Sequence, residues 1–173
     1  MTPIDWAKRP LQKYADFTGR APRAEFWWYV LLIVVAGIVA MILDSLLGTA
    51  KMVGPYGLVT LIVLLATFVP SLAVQTRRLH DTDRPGIWLV GFYIPYFIYL
   101  YLLVGTMRTM ENMQATGEVP SDGGSLMMTG LVGLVVLILA VILIVFFVKR
   151  GTPGDNRFGP DPYAGGEASA ATA

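Results

Sequence analysis

The chain has 173 residues, of which 55% are hydrophobic and only 14% are charged, and its mean hydropathy is +0.60. A soluble domain of this size carries about a quarter charged residues, so the composition excludes one and indicates a small integral membrane protein. The formal net charge is +1, and cysteine is absent. That absence excludes disulfides, thiolate metal sites and cysteine nucleophiles.

The N-terminal segment is polar and basic and precedes the first apolar run. Pro10 suits the first turn of a helix and Gly19 suits its C-terminal cap, so we predict a short interfacial helix over residues 10–18. Trp6 and Phe17 are expected to lie at the level of the lipid headgroups, and a flexible basic tail is the alternative. The segment is too long for the basic region of a secretory signal, so we expect it to be retained.

Four apolar runs follow, each long enough for the roughly 20 residues that cross a bilayer. They predict transmembrane helices over residues 23–47, 56–76, 86–106 and 125–148. We expect residues 1–163 to form a single membrane domain and residues 164–173 to form a disordered tail. Asp44 lies near the end of the first helix, where we expect its carboxylate to reach water rather than to carry protons.

Two polar stretches separate the later helices. The charged block from Arg77 to Gly86 is predicted to be a short loop, because no Lys, Arg, Asp or Glu occurs in residues 52–76 before it or in residues 85–107 after it. The longest internal loop is predicted over residues 107–124 and is mildly acidic. The fold class is therefore an all-α integral membrane protein with four transmembrane helices, a short N-terminal interfacial helix and a polar cluster on the cytoplasmic side.

The cytoplasmic side is predicted from the distribution of Lys and Arg. Eleven of the thirteen lie on one side: five before residue 24, three between residues 77 and 84, and three from residue 149 onward. The other side receives only Lys51 and Arg108. By the positive-inside rule, both termini and the charged block are cytoplasmic in the bacterial inner membrane, and the loops at 48–55 and 107–124 lie outside.

Three short segments next to the apolar runs stand out by their residues. They are Phe17-Thr18-Gly19-Arg20 with Arg23, Glu25, Phe26 and Trp27; Arg77-Arg78-Leu79-His80-Asp81 with Arg84, Gly86 and Trp88; and Gly151 to Pro162, which reads GTPGDNRFGPDP. In this order and spacing they resemble the hallmarks of the domain-of-unknown-function 805 family of small bacterial inner-membrane proteins. The resemblance spans about residues 5–162. It implies a four-helix membrane fold and, because that family has no settled activity, no particular chemistry.

The three segments are expected to meet on the cytoplasmic face as one polar cluster. Its candidate members are Arg20, Arg23, Glu25, Arg77, Arg78, His80, Asp81, Asp83, Arg84, Asp155, Asn156 and Arg157. Arginine binds carboxylate or phosphate with its planar fork, so two hypotheses stay open. The ion pairs simply tie the loops together, or the surplus of cations binds anionic lipid headgroups or a protein partner. Within the cluster we expect Arg78 and Arg157 to be structural and Arg20 to contact lipid.

Other functions receive less support from the residues. A divalent metal site built on His80 with nearby carboxylates is disfavoured by the surrounding arginines and by the lack of helical ligand spacing. A small transporter or channel subunit that acts as an oligomer is the alternative function, and a lipid-modifying enzyme is the third. We predict no catalytic residue, no cofactor and no nucleic-acid partner; membrane lipids and a possible homo-oligomer are the expected partners.

Overall fold

The computed structural model describes residues 1–50, 52, 56–117 and 123–164. The described residues form five helices and no strand: α1 (Pro3–Gln12), α2 (Arg23–Leu47), α3 (Leu58–Asp81), α4 (Ile87–Thr116) and α5 (Gly123–Val148). Helices α2 to α5 are long and apolar enough to cross a membrane. The fold class predicted from the sequence, an all-α protein with four membrane helices, is confirmed.

Internal contacts divide the chain into two compact units. The first contains Met1–Gly86 and the described residues from Phe147 onward, and the second is Ile87–Phe146. In the first unit, α1 packs on α2 and α3, and α2 packs on α3. That residues 1–163 form a single domain stays a prediction. The disordered tail predicted over residues 164–173 lies, apart from Ala164, outside the described residues.

The N-terminal helix begins earlier than the sequence suggested. It runs over Pro3–Gln12, so the prediction of a helix over residues 10–18 was wrong. Thr2 and Asp5 form a capping box, in which the Thr2 amide donates to Asp5 Oδ2 at 2.8 Å and the Asp5 amide donates to Thr2 Oγ1 at 3.3 Å. This cap starts the helix at Pro3, and Pro10 lies inside the last turns instead of opening them.

The charged block is largely helical. Helix α3 starts two residues later than predicted, at Leu58, and continues to Asp81, so the prediction of an end at residue 76 and of a loop throughout the block was wrong. Only residues 82–86 connect α3 to α4. Charged residues continue the helix because Arg77, Arg78 and Asp81 are buried and compensate one another and their neighbours, as described below.

Helix α4 is also longer than its apolar run. It extends from Ile87 to Thr116, whereas the sequence predicted an end at residue 106 and a loop from 107. The additional residues MRTMENMQAT are mostly good helix formers without Gly or Pro, so the helix continues after the apolar run ends. The remainder of the predicted loop lies mainly outside the described residues. Helix α2 spans the predicted range, and α5 ends at the predicted residue, Val148.

A proline interrupts the backbone hydrogen bonds of α3. Pro70 lies inside the helix and has no amide hydrogen for the carbonyl of Ala66, four residues earlier. The hydroxyl of Tyr14 donates to that carbonyl at 3.0 Å. One residue further along, the Tyr29 hydroxyl donates to the carbonyl of Thr67 at 3.3 Å. Tyr14 therefore satisfies the carbonyl that Pro70 leaves open, and the two tyrosines attach the segment after α1 and helix α2 to α3.

Asp44 links the end of α2 to the start of α3. Its side chain is 2% exposed, so the expectation that it reaches water was wrong. One oxygen accepts from Thr49 Oγ1 at 2.6 Å and from the Val59 amide at 2.8 Å. The other accepts from the amide and the hydroxyl of Thr60 at 2.8 and 2.7 Å. Because Gly57 at the N-cap of α3 has no side chain, Asp44 supplies the missing cap.

Candidate functional site

The buried centre of the candidate site is the carboxylate of Asp81 at the end of α3. Two arginines share it. Arg20 contacts Oδ1 through Nε and Nη2, both at 3.0 Å, and Arg78 Nη1 donates to Oδ2. Arg78 and Asp81 are fully buried, and the Arg20 side chain is 1% exposed. Charge-assisted bonds of this kind are roughly twice as strong as neutral ones, so this triad fixes the position of the segment before α2 on α3.

The remaining donors of both arginines hold the end of α5 and the chain that follows it. Arg20 donates to the carbonyls of Thr152 and Gly154, each at 2.6 Å. Arg78 Nε donates to the carbonyl of Phe147 at 3.0 Å, and its Nη2 donates to that of Lys149. The two arginines thus bind one carbonyl in the last turn of α5 and three carbonyls in the segment that follows it.

Gly151 is the point where the C-terminal segment comes closest to Asp81. A Cβ atom at this position would overlap the carboxylate of Asp81. The next residue, Thr152, donates its amide to the backbone carbonyl of Asp81 at 2.8 Å. Only glycine leaves room for this close approach, which accounts for a glycine at the start of the third sequence segment.

A second buried ion pair lies beside the first. Arg77 Nη2 is 2.9 Å from Glu25 Oε1, and both side chains are 1% exposed. The other oxygen of Glu25 is 3.4 Å from Nε of the partly exposed Arg9. Arg77 also donates through Nη1 to the carbonyls of Asp16 and Lys13, whereas its Nε has no hydrogen-bond partner among the described residues. We call Arg20, Glu25, Arg77, Arg78 and Asp81 the arginine clasp.

His80 attaches the C-terminal turn to the clasp from the outside. Its ring stacks on Phe158 with centroids 4.0 Å apart and planes 4° from parallel. Nδ1 lies 3.1 Å from the carbonyl of Gly19, so this nitrogen carries the hydrogen. Asn156 donates from its amide group to the carbonyl of His80 and to Thr152 Oγ1, both at 2.9 Å. His80 and Asn156 therefore have structural contacts.

One ion pair of the candidate set lies at the surface. Arg157 contacts Asp83 through Nε at 3.1 Å from Oδ1 and through Nη2 at 2.9 Å from the backbone carbonyl. The two side chains are 60% and 47% exposed. Exposed pairs contribute about 0–1 kcal/mol to stability, so this pair adds little. The expectation for Arg157 and Arg20 is thus reversed, because Arg20 is buried and Arg157 is exposed.

Three further candidates have hydrogen bonds outside the clasp. Asp155 Oδ1 accepts from the amide of Asp161 at 2.9 Å within the C-terminal turn. Arg84 donates from Nη1 to the carbonyl of Thr82 in its own loop at 3.1 Å. Arg23 has an exposed side chain, and its amide donates to the Tyr163 hydroxyl at 3.0 Å. That these three converge with the clasp stays a prediction.

Two carboxylates outside the membrane helices are held by turn hydrogen bonds. The hydroxyl and the amide of Thr18 donate to Asp16 at 2.6 and 3.0 Å, and they lower the pKa of Asp16 to about 2. The amide of Tyr163, and then that of Gly154, lower the pKa of Asp161 below its usual value. Both carboxylates are therefore ionised at neutral pH and stabilise the turns that carry the clasp.

Several contacts of the site were not predicted from the sequence. Arg9 was assigned to the N-terminal segment and not to the cluster, although it pairs with Glu25. Phe158 and Thr152 belong to the third hallmark segment, but nothing in their residue type indicates stacking on His80 or contact with Asp81. Backbone carbonyls, which accept most of the arginine hydrogen bonds, carry no sequence signal.

The guanidinium groups of this arrangement suit it to binding carboxylate and carbonyl oxygens. Within the part of the chain that the structure describes, no group of three His, Cys, Asp or Glu residues lies close enough to hold a metal ion. The guanidinium groups of Arg20 and Arg78 are occupied by Asp81 and by carbonyls. Exposed cations remain at Lys8, Arg23 and Lys149, which we call the basic rim.

Comparison with known proteins agrees with this membrane architecture. The chain is 34% identical over 159 residues to "Inner membrane protein YhaH" of Escherichia coli (strain K12), covering 92% of this chain and 97% of that relative. It is 32% identical over 162 residues to "Inner membrane protein YhaI" of the same organism, covering 94% and 98%. No solved structure matches the chain significantly. A family model described as "Protein of unknown function (DUF805)" matches residues 14–160, and the chain belongs to that family.

Proposed function

We propose that the protein is a non-enzymatic inner-membrane protein whose basic rim binds anionic phospholipid headgroups on the cytoplasmic side, with the arginine clasp as its rigid base. One observation carries the proposal: in the clasp, three buried arginines share only two buried carboxylates. The base of the site is therefore positively charged even after its internal ion pairs are formed. The rim adds exposed cations that no carboxylate of the clasp compensates.

The rim residues lie next to the clasp in the chain. Lys8 precedes Arg9, which contacts Glu25. Arg23 lies two residues before Glu25 at the start of α2, and the carbonyl of Lys149 accepts from Arg78. The clasp thus holds three segments that are distant in sequence so that their cations belong to one unit.

Helix α1 supports a lipid partner over a protein partner. It carries exposed apolar side chains at Ile4 and Leu11 together with the cation Lys8, while Ala7 and Pro10 are buried. A short helix with exposed apolar and basic residues is typical of the boundary between headgroups and acyl chains. At that depth each nearby Lys or Arg contributes about 1 kcal/mol of attraction to an anionic membrane surface.

The orientation is part of the proposal. The positive-inside rule places the clasp, the rim and both termini in the cytoplasm, where the anionic surface potential acts on them. Because the chain contains no cysteine, single cysteines at Gln114 and Ala164 report the two sides directly. An impermeant thiol reagent applied to intact spheroplasts is expected to label Gln114→Cys and not Ala164→Cys. The reverse pattern contradicts the orientation.

The lipid site is tested by electron paramagnetic resonance of spin-labelled lipids around the purified full-length protein in bilayers. Spin-labelled phosphatidylglycerol is expected to associate with the wild type several-fold more strongly than phosphatidylcholine, and this preference is expected to fall as salt rises. The triple variant Lys8→Gln, Arg23→Gln, Lys149→Gln should lose most of the preference. Its melting temperature should stay close to that of the wild type because none of the three side chains belongs to the clasp.

Arg108→Gln is the matched control, because Arg108 is an exposed cation that the charge distribution assigns to the other side. It should leave the preference unchanged. An equal preference in the wild type and the triple variant, or no preference in the wild type, rejects headgroup binding. In that case a protein partner of the rim becomes the better explanation.

A further inference from the structure

The unit formed by α4 and α5 contains a groove that the proposed function does not use. Its volume is about 580 Å³. That is within the range of roughly 300–1,000 Å³ typical of small-molecule sites. The residues that line it are Phe92, Tyr96, Tyr99, Thr129, Gly130, Gly133, Val136, Leu137 and Ala140.

The groove is at the depth of the bilayer centre. Helix α4 begins at Ile87, so a rise of 1.5 Å per residue puts Tyr96 about 14 Å and Tyr99 about 18 Å along the helix. The apolar run begins beside Ile87, and a hydrocarbon core about 30 Å thick that starts there has its midplane between these two residues. The phenol groups of both tyrosines are thus in the most apolar part of the membrane.

The hydroxyls of Tyr96 and Tyr99 differ from the other polar side chain that lines the groove. Among the described residues, neither the Tyr96 nor the Tyr99 hydroxyl makes a hydrogen bond, in contrast to the other polar side chain of the groove. Thr129 is 3.0 Å from Thr106 Oγ1 and donates to the carbonyl of Ser125 at 2.8 Å. A hydroxyl left unpaired in hydrocarbon costs on the order of 2–7 kcal/mol, so a molecule that brings acceptors to this depth is strongly favoured.

The walls of the groove suit a flat ring. The rings of Phe92 and Tyr96 are nearly parallel, with planes 15° apart and centroids at 5.7 Å. On the opposite helix, a Cβ atom added at Gly130 would meet no atom within 4 Å, so this wall is open. Gly133 packs against the ring of Tyr99, where an added Cβ would be 2.9 Å from Cε2. Aromatic residues of α4 thus face a side of α5 on which Gly130 leaves open space.

We propose that this groove binds the head group of a lipid-soluble quinone. A quinone ring is flat, stacks on aromatic side chains and carries carbonyl oxygens that accept hydrogen bonds from Tyr96 and Tyr99. Its isoprenoid tail is as apolar as the surrounding lipid. A phospholipid does not fit the hydroxyls as well, because its ester carbonyls lie at the interface and only its acyl chains reach the midplane.

The proposal is tested on the full-length protein in lipid nanodiscs with a photoreactive azido-quinone, followed by mass-spectrometric mapping of the labelled residues. Labelling is expected within α4 and α5 and should be displaced by decylubiquinone. The double variant Tyr96→Phe, Tyr99→Phe keeps both rings and removes both hydroxyls. The decylubiquinone concentration that halves the labelling should rise about tenfold or more in this variant, because two neutral hydrogen bonds are lost. Gly130→Leu fills the open wall and should abolish labelling.

Tyr101→Phe is the control, since Tyr101 is 80% exposed and does not line the groove. It should behave as the wild type. The proposal is overturned if decylubiquinone displaces the label from the double variant as well as from the wild type, or if the label falls outside α4 and α5. It is also overturned if a cysteine at Gly130 cross-links two copies of the chain, because a second copy then occupies the groove. The basic rim is not involved, so the rim triple variant should keep full quinone labelling whatever its lipid preference.

Discussion

Arg20 and Arg157 are both arginines paired with an aspartate, and burial separates their roles. Loss of Arg20 leaves Asp81 with one partner in a fully buried site and leaves the carbonyls of Thr152 and Gly154 without donors. Arg20→Gln should therefore lower the free energy of unfolding by about 3–5 kcal/mol. Arg157→Gln should cost less than about 1 kcal/mol because its pair with Asp83 is exposed.

Unfolding of both variants in mixed detergent micelles measures the difference, with far-ultraviolet circular dichroism as the probe. Arg20→Lys is an informative intermediate, since a lysine keeps the charge and lacks the planar fork that reaches Asp81 and the carbonyls together. Comparable losses for Arg20→Gln and Arg157→Gln would contradict the distinction between the clasp and the surface pair.

Asp44 illustrates how burial changes the expected effect of a single substitution. From its place near the end of an apolar run, replacement by Asn would leave the protein nearly unchanged. The structure instead gives its two oxygens four donors, two of them amides in the first turn of α3. Asp44→Asn replaces one acceptor oxygen by a donor, so we expect a loss of about 1–3 kcal/mol.

Hydrogen exchange locates that effect. The amides of Val59 and Thr60 should exchange faster in Asp44→Asn, whereas the end of α3 near Asp81 should be protected as in the wild type. Asp155→Asn is the comparison, since Asp155 is exposed and accepts from the Asp161 amide within its own turn. Unaltered exchange at Val59 and Thr60 would show that α3 does not depend on this cap.

At the scale of helices, α3 depends on a residue outside its own sequence. Because Pro70 has no amide hydrogen, the Ala66 carbonyl accepts its hydrogen bond from the Tyr14 hydroxyl. Tyr14→Phe removes only this donor and should destabilise the protein by about 0.5–1.5 kcal/mol. It should also loosen α1 and the segment after it, so trypsin should cut at Lys8 and Lys13 faster. Tyr101→Phe should show neither change, and equal rates in both variants would mean that Tyr14 does not attach this segment.

The helix boundaries show where an apolar pattern predicts the end of a helix and where it does not. The start and end of α2 follow from the sequence because apolar residues fill the helix and Gly48 ends it in a left-handed conformation. For α3 and α4 the apolar run ends before the helix does. In α3 the additional turn depends on ion pairs with Arg20 and Glu25, which are distant in sequence. Local patterns do not contain that information.

For the first unit as a whole, the segment after α5 is a structural part and not a tail. The carbonyls of Thr152 and Gly154 accept from Arg20, and the ring of Phe158 stacks on His80. A chain that ends at Arg150 should therefore lose several kcal/mol of stability and unfold at a clearly lower temperature than one that ends at Ala164. Thermal unfolding of the two truncations in the same detergent measures this. Equal melting temperatures would refute a structural role for residues 151–163.

The sequence predicts which residues form the candidate site, but not which of its arginines are buried and which are exposed. Three charged segments near the ends of apolar runs indicated that Arg20, Arg77, Arg78 and Asp81 would meet. Which arginine is buried depends on the path of the C-terminal segment, and that path is set by carbonyls and by the missing side chain of Gly151. Backbone carbonyls and a missing side chain produce no charge pattern and no periodicity, so the sequence does not reveal them.

The clasp also sets an order of events during synthesis. Arg20 and its acceptor at Gly154 are separated by 134 residues, and Arg20 and Thr152 by 132. At about 5–20 residues per second, a ribosome needs roughly 7–27 s to add the residues between them. Throughout that interval Arg20 has been made and its carbonyl partners have not. The first unit therefore reaches its final form only after α5 has been translated, and until then the Arg20 donors that later bind the Thr152 and Gly154 carbonyls contact water or lipid headgroups.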